Sequence, residues 1–262
     1  MNVAEAAVVI RQRSLLEVMD LAFRFLFGVR SGLYLRLSAM FLLPALGLTC
    51  ALAFLTDVHW FWVWVFALAL GQVLQGVFTV AAGRLMFERD VTAGTIVWQF
   101  FKRLWPYLWA LVLSRFLLLA SAIVLVGPLL LGPRQVFVHE AVLLEGARTT
   151  EAIKRAGRFG WQDATFTFGL MVVSATFTVF FVAAGELLGQ AIVRDVLQLG
   201  EPVGKIQVDK YSLYAFLGYF ASLPFMSAAR FLSYIDARTK RDAWDVQVRF
   251  MGIAAAEAER VS

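Results

Sequence analysis

The sequence predicts an all-α membrane protein with six transmembrane helices in three hairpins, each preceded by an interfacial amphipathic helix. Of the 262 residues, 60% are hydrophobic and 16% are charged, and the mean hydropathy is +0.73. A soluble domain carries about 25% charged residues. The apolar excess indicates that lipid solvates much of the chain, so residues 1–262 are expected to form a single polytopic membrane domain.

Four apolar stretches are each long enough to supply the roughly 20 residues that a helix needs to cross a bilayer. They are residues 33–55, 59–81, 164–188 and 211–232. The connection between the first two is only three residues long. These two spans are therefore expected to form an antiparallel hairpin.

A longer apolar tract occupies residues 105–146. As one helix it would measure about 63 Å, twice the thickness of the hydrocarbon layer. Gly127-Pro128 and Gly132-Pro133 interrupt it, and proline breaks a helix because it lacks an amide donor. We therefore expect a second hairpin with arms 105–126 and 128–146 and a turn among the Gly-Pro pairs. A re-entrant second arm is the alternative.

The positions of the basic residues orient the spans. With the N-terminus inside, the 24 basic residues lie on the inner side except for Arg115, Arg134, Arg194, Lys205 and Lys210. Without a return at 128–146, the basic residues of 148–158 and of the C-terminal segment would lie outside. The positive-inside bias thus favours six crossings and a multi-pass protein of the bacterial cytoplasmic (inner) membrane, with both termini cytoplasmic.

Three amphipathic stretches precede the predicted hairpins: 14–28, 92–108 and 149–163. When they are aligned without gaps, the cations Arg24, Lys102 and Arg158 coincide. Such helices lie in the membrane interface with their basic residues toward the headgroups. The pattern suggests a threefold repeat, although chance alignment is the alternative. The repeat units would be 14–81, 92–146 and 149–235.

Two segments resemble a bacterial membrane-protein family. VLLEGARTTEAIKRAGRF (142–159) is similar to that family's "vvlEG…eAlrRS" segment, and YIDARTKRDAWDV (234–246) is similar to the segment after its last span. Glu145, Gly146 and Arg155 match, whereas Ala156 replaces the usual serine. The family comprises the membrane region of glycerophosphodiester phosphodiesterases and related stand-alone inner-membrane proteins.

This resemblance implies a membrane region without phosphodiesterase activity. In the fused proteins the catalysis resides in a separate soluble barrel, which needs about 250 residues of its own. The chain has no room for that barrel beside its spans. We therefore expect a protein that is not an enzyme.

Charged residues within the spans are the candidate intramembrane polar site: Arg115, Glu140 and Glu186. An isolated charge at mid-bilayer costs roughly 2.5–3.5 kcal/mol on insertion scales. We therefore expect these side chains to face the bundle interior, with an Arg115–Glu140 contact joining the arms of the second hairpin. The functional alternative is an ion or substrate site. The structural alternatives are a buried pair or an arginine that reaches the inner surface.

A second candidate set lies at the inner ends of the spans: Glu145, Arg155, Asp236 and Arg238. These residues are expected to form an ion-pair cluster that locks the span ends together. The same arginines could instead hold a lipid phosphate, which guanidinium groups bind well.

No catalytic, cofactor-binding or metal-binding residues are predicted. His139-Glu140 begins the metalloprotease pattern H-E-x-x-H, but Leu143 stands where the second histidine is needed. The only other histidine, His59, lies in a different hairpin. Zinc binding is therefore not expected.

Together these observations predict a non-enzymatic membrane protein that interacts with lipid or serves as an accessory or scaffold component of a membrane complex. The alternative is a small transporter with a polar site between hairpins. The expected partners are membrane lipids, in particular anionic headgroups on the cytoplasmic side, and a membrane-complex partner. Although the net charge is +5, nucleic acid is not expected, because the basic residues serve to orient the spans.

Overall fold

The protein is described by a computed structural model that covers residues 13–88, 90–124, 126–199 and 203–242, with side chains through 240. These ranges contain helices and no strand. The end of the 234–246 motif lies outside the described residues. The helices are α1 (Leu15–Gly28), α2 (Ser31–Leu55), α3 (Trp60–Phe87), α4 (Ala93–Lys102), α5 (Leu104–Ser121), α6 (Gly127–Gln135), α7 (Val138–Leu143), α8 (Thr149–Gln162), α9 (Ala164–Ala191), α10 (Ile206–Asp209) and α11 (Leu213–Asp242).

Five of the described helices are long and apolar enough to cross a membrane: α2, α3, α5, α9 and α11. A π-helical turn at Ile192–Val196 extends α9. The chain is therefore an all-helical protein of the multi-pass membrane type. The helices at the predicted spans 33–55, 59–81, 164–188 and 211–232 are confirmed.

The predicted sixth span, 128–146, is not a single helix. It consists of α6, with nine residues, and α7, with six. The chain also enters its next helix earlier than predicted: α5 ends at Ser121 and α6 begins at Gly127, because Pro128 occupies the first turn of α6. A proline there needs no amide partner, so it begins a helix instead of breaking one.

This return arm, α6 with α7, nevertheless carries the chain back along α5. Thr149, the first residue of α8, donates its hydroxyl to the carbonyl oxygen of Pro106 over 3.3 Å. Gly146, with φ of 70°, packs against the Arg103 guanidinium, where a side chain would collide. The left-handed conformation and the close approach both favour glycine. The return arm is therefore two short helices, and the predicted second hairpin of two spans stays a prediction.

Contacts along α11 define the two ends of the helix bundle. The amide of Arg13 donates to Asp236 Oδ1 over 2.7 Å, and Lys240 Nζ lies 3.2 Å from Asp163 Oδ2. The starts of α1 and α9 therefore meet the end of α11. At the opposite end, the Tyr211 hydroxyl donates to the carbonyl oxygen of Ala53 over 2.9 Å.

Helix α11 is the centre of the bundle. It packs against α1, α2, α3, α8 and α9, and it continues without a break through Pro224. The Phe225 ring centroid lies 4.1 Å from that of Phe23 and 5.2 Å from that of Phe177. These contacts tie α1 and α9 to one point of α11.

Glycines let α9 and α11 approach closely. A Cβ atom at Gly185 would lie 2.8 Å from Gly218 Cα, and a Cβ at Gly218 would overlap the Phe181 carbonyl oxygen. Gly189 faces the Tyr214 ring in the same way. The G-x-x-x-G pair of α9 is therefore a packing surface.

The three predicted amphipathic stretches contain helices α1, α4 and α8. Ser14 with Glu17, and Thr92 with Thr95, form capping boxes at the starts of α1 and α4, which satisfy amides that have no partner within the helix. The predicted second stretch extends too far, since α4 ends at Lys102. The arrangement of three hairpins and the equivalence of the repeat units stay predictions.

Candidate functional site

A buried ion pair joins α11 to the return arm. Arg230 donates from Nε to Oε1 of Glu140 over 2.9 Å. The Glu140 side chain is fully buried and that of Arg230 is 12% exposed. A charge far from water is costly unless it is paired. The pair therefore holds α7 in place against α11.

Neutral acceptors on α3 complete the surroundings of Arg230. Its Nη2 donates to Thr79 Oγ1 over 3.1 Å, and its Nη1 donates to Gln75 Oε1. Gln75 and Thr79 are four residues apart and share one face of α3. The three guanidinium nitrogens thus each have an acceptor.

The predicted Arg115–Glu140 contact is wrong. Arg115 on α5 donates from Nη2 to Gln72 Oε1 over 2.5 Å, and it has no ion-pair partner in the part of the chain that the structure describes. Successive helical residues point about 100° apart. On α7, His139 therefore faces α5, while Glu140 faces Arg230 on α11.

Tyr107 links His139 to α3. The Tyr107 hydroxyl oxygen lies 2.8 Å from His139 Nδ1 and 2.8 Å from the carbonyl oxygen of Gln72. The hydroxyl has one proton, so its direction determines which ring nitrogen of the neutral imidazole carries a hydrogen. The other nitrogen of His139, Nε2, is buried and has no hydrogen-bond partner among the described residues.

These groups surround a cavity of about 260 Å³ between α3, α5, α6, α7, α9 and α11, called here the central cavity. Its polar lining includes Gln72, Gln75, Arg115, Gln135, His139 and Arg230. Gln135 is 4% exposed, and its Oε1 has no hydrogen-bond partner within the described ranges. The guanidinium groups of Arg115 and Arg230 both line this cavity, and the carboxylate of Glu140 balances the charge of Arg230.

Glu186 does not belong to the central cavity, contrary to the prediction. Its carboxylate accepts the amide of Ile206 over 3.0 Å and also accepts the Ser212 hydroxyl and the Gln190 side-chain amide. These partners lie at the far end of α9 and in the connection to α11. Glu186 therefore anchors that connection, because a buried carboxylate needs several donors.

Three of the four residues predicted to cluster at the span ends meet around Glu145. Arg155 Nη1 lies 2.9 Å and Arg238 Nη1 lies 3.5 Å from its carboxylate oxygens, and the Tyr234 hydroxyl also donates to it. The hydrogen bond and charge of Glu145 raise the pKa of Arg155. Both arginines therefore hold α8 and α11 at the end of α7.

Asp236, the fourth predicted member, contacts other partners. Its Oδ2 lies 2.9 Å from Lys240 Nζ, and its Oδ1 accepts the Arg13 amide. Lys240 also reaches Asp163. Asp236 and Glu145 thus make separate contacts: one joins α11 to the starts of α1 and α9, and the other joins it to α7 and α8.

A second cavity, of about 750 Å³, lies between α6 and α8 and is called here the basic groove. Arg134, Lys154 and Arg158 line it, and none of the three has an ion-pair partner in the described ranges. The Arg134 Cζ atom lies 4.6 Å from the Trp161 ring centroid, a cation–π arrangement. Its apolar walls include Leu117, Leu131 and Ile153.

Arg134 lies in a helix and not in a loop as the sequence predicted, and its side of the membrane stays a prediction. Because α6 begins at Gly127 and continues to Gln135, Arg134 lies on this helix, beside the basic residues of α8. Arg134 therefore adds a third positive charge to those of Lys154 and Arg158 on α8.

Acidic, histidine and cysteine side chains are scattered through the bundle. The described residues contain no group of three such side chains that could hold a metal ion.

Sequence reasoning missed Gln72, Gln75 and Arg230 as site residues. A usable signal existed for the glutamines, because Gln72, Gln75 and Thr79 are polar residues with helical spacing inside an apolar span. The positive-inside pattern identifies Arg230 only as an inner-surface cation. The H-E-x-x-H comparison identifies His139 only as a possible metal ligand.

No protein-family model, no curated protein and no solved structure matches this chain. The resemblance of segments 142–159 and 234–246 to the phosphodiesterase-associated membrane region stays a prediction.

Proposed function

We propose that the chain is a non-enzymatic, lipid-binding protein of the bacterial cytoplasmic membrane, with both termini in the cytoplasm. Two features support this topology. The return arm brings α8 back beside the start of α5, and Arg134 joins the basic residues of α8 instead of facing the opposite side. Cationic side chains concentrate on the cytoplasmic side of membrane proteins.

The basic groove is the single observation that carries the lipid-binding function. Three cations without a counter-charge among the described residues meet an apolar wall in one cavity of about 750 Å³. Guanidinium and ammonium groups bind phosphate, and leucine and isoleucine side chains pack against acyl chains. An anionic phospholipid supplies both parts, so we assign the groove to its headgroup and the first part of its tails.

Native mass spectrometry of the delipidated protein in neutral detergent tests this assignment. Phosphatidylglycerol is expected to bind in preference to phosphatidylcholine. The triple variant R134Q/K154Q/R158Q should lose that preference, whereas R36Q/K102Q/R148Q, which removes the same charge from exposed positions elsewhere, should keep it. Equal loss in both triple variants would show that only net charge matters and would contradict the assignment.

The central cavity favours a second candidate, a small transporter with a polar site between hairpins. Arg115 lies on its wall, between helices of all three hairpins, and polar residues inside membrane bundles mark transport pathways. Anion uptake by reconstituted vesicles, with R115Q as the comparison, tests this candidate. Uptake equal to that of protein-free vesicles would exclude it and leave lipid binding unaffected.

A further inference from the structure

The central cavity carries an unbalanced positive charge. Arg115 and Arg230 both line it, and the only carboxylate that contacts either of them within the described ranges is Glu140, which pairs with Arg230. Arg115 has one neutral acceptor, Gln72. A guanidinium group in a bilayer interior is stabilised by an anion or by water.

Two side chains that line this space, His139 and Gln135, each also have a buried atom without a hydrogen-bond partner among the described residues. His139 is 1% exposed, and its Nε2 atom has no hydrogen-bond partner in the described chain. Gln135 Oε1 is likewise buried and has no hydrogen-bond partner among the described residues. A side-chain amide has both a donor and an acceptor, so Gln135 can present either one to a ligand. Unsatisfied buried polar atoms are rare in folded proteins unless water or a ligand meets them.

The size and the charge together define the ligand. A cavity of about 260 Å³ is at the small end of ligand sites, so it accepts a compact group and not a nucleotide. One negative charge neutralises the excess, whereas two would leave a buried net negative charge. A planar guanidinium group binds phosphate oxygens in a bidentate manner.

We propose that the central cavity binds one singly charged phosphate group, with Arg115 as its principal ligand and Gln135 and His139 as its hydrogen-bonding partners. The phosphate can belong to the phosphodiester of a phospholipid headgroup or to free dihydrogen phosphate. The cavity is that of the second candidate function, and the ligand binds there whether or not it is transported.

Binding is tested on the full-length, delipidated protein in neutral detergent at pH 6, where free phosphate is mostly singly charged. Thermal unfolding and calorimetric titration are measured with sodium phosphate and, separately, with phosphatidylglycerol in mixed micelles. Sodium chloride at matched ionic strength sets the baseline. The wild type is expected to melt at a higher temperature with at least one of the two ligands.

Three variants locate the site. R115Q should bind the phosphate group at least tenfold more weakly, while R36Q, an exposed arginine of α2, should bind like the wild type. If R115Q does not fold, Q135E provides an independent test. Its carboxylate places an anion in the cavity, so it should raise the unfolding temperature without ligand and abolish the response to phosphate.

The outcomes separate the two sources and the two sites. A response to sodium phosphate that R115Q loses identifies the free anion. A response to phosphatidylglycerol alone, kept by R134Q/K154Q/R158Q and lost by R115Q, identifies the lipid headgroup. The proposal would be overturned if neither ligand raised the unfolding temperature more than sodium chloride does. It would also be overturned if phosphate raised the unfolding temperature of Q135E as much as that of the wild type. Both conclusions hold whatever R134Q/K154Q/R158Q shows.

Discussion

Arg230 of α11 and Glu140 of α7 form a buried ion pair, with Nε and Oε1 2.9 Å apart. The contact joins residues 90 positions apart in the chain and holds the broken return arm in the bundle. It also determines which of the two arginines at the central cavity has a counter-charge. The stability of the fold and the chemistry of the cavity therefore both depend on this pair.

Removal of one partner of this pair is expected to destabilise the protein strongly. E140Q leaves Arg230 buried without its counter-charge, so the free energy of unfolding should fall by about 3–5 kcal/mol. The double variant E140Q/R230Q should recover part of that loss, because no uncompensated charge remains. Denaturant unfolding in mixed micelles measures both.

The control for this prediction is the exposed pair between Arg24 and Asp20, whose side chains are 75% and 61% exposed. D20N should change the free energy of unfolding by less than about 1 kcal/mol, because solvent screens surface pairs. A loss in E140Q no larger than that in D20N would mean that the buried pair contributes little.

Close packing of α9 on α11 predicts a sharp difference between glycines. A leucine at Gly218 must displace the backbone of α9, so G218L should lower the free energy of unfolding by about 1–3 kcal/mol or more. A Cβ atom at Gly47 of α2 would meet no other atom within 4 Å, so G47L should be nearly neutral. Denaturant unfolding compares the two variants, and similar losses in both would refute the packing role of Gly218.

The cluster around Glu145 is expected to depend mainly on its carboxylate. Glu145 is 9% exposed and contacts Arg155, Arg238 and Tyr234, whereas Arg155 is 48% exposed. E145Q should therefore cost about 1–3 kcal/mol of unfolding free energy, and R155Q should cost clearly less. Thermal unfolding compares the stability of the two variants. A greater loss of stability in R155Q than in E145Q would contradict this order.

The return arm makes a prediction about sidedness. In a C50S background, single cysteines at Lys102 and Arg148, which flank the second hairpin, should react with an impermeant thiol reagent from the same side of the membrane. A cysteine at Asp57, in the connection between α2 and α3, should react from the opposite side. If the cysteines at Arg148 and Asp57 react from the same side of the membrane, the return arm does not bring the chain back to the side of Lys102.

Much of the fold could be predicted from the sequence, because the relevant signals are local. Span length, the short connection between α2 and α3 and the capping residues Ser14 and Thr92 depend only on neighbouring positions. The second hairpin shows the limit of such signals. Its Gly-Pro pairs predict a helix break, but Pro128 lies in the first turn of a helix, where proline is well tolerated.

By itself the sequence determined that the chain is helical, where its long apolar helices lie and which charged residues lie within apolar segments, since hydropathy and helical spacing follow from residue type. Only the tertiary structure decided that Glu140 meets Arg230, that Arg115 meets Gln72 and that Glu186 lies elsewhere. The reason is rotational: a helix can turn any of its faces toward a neighbour with little change in hydropathy, and packing against distant helices selects one. The cavity beside Arg115 arises from that selection.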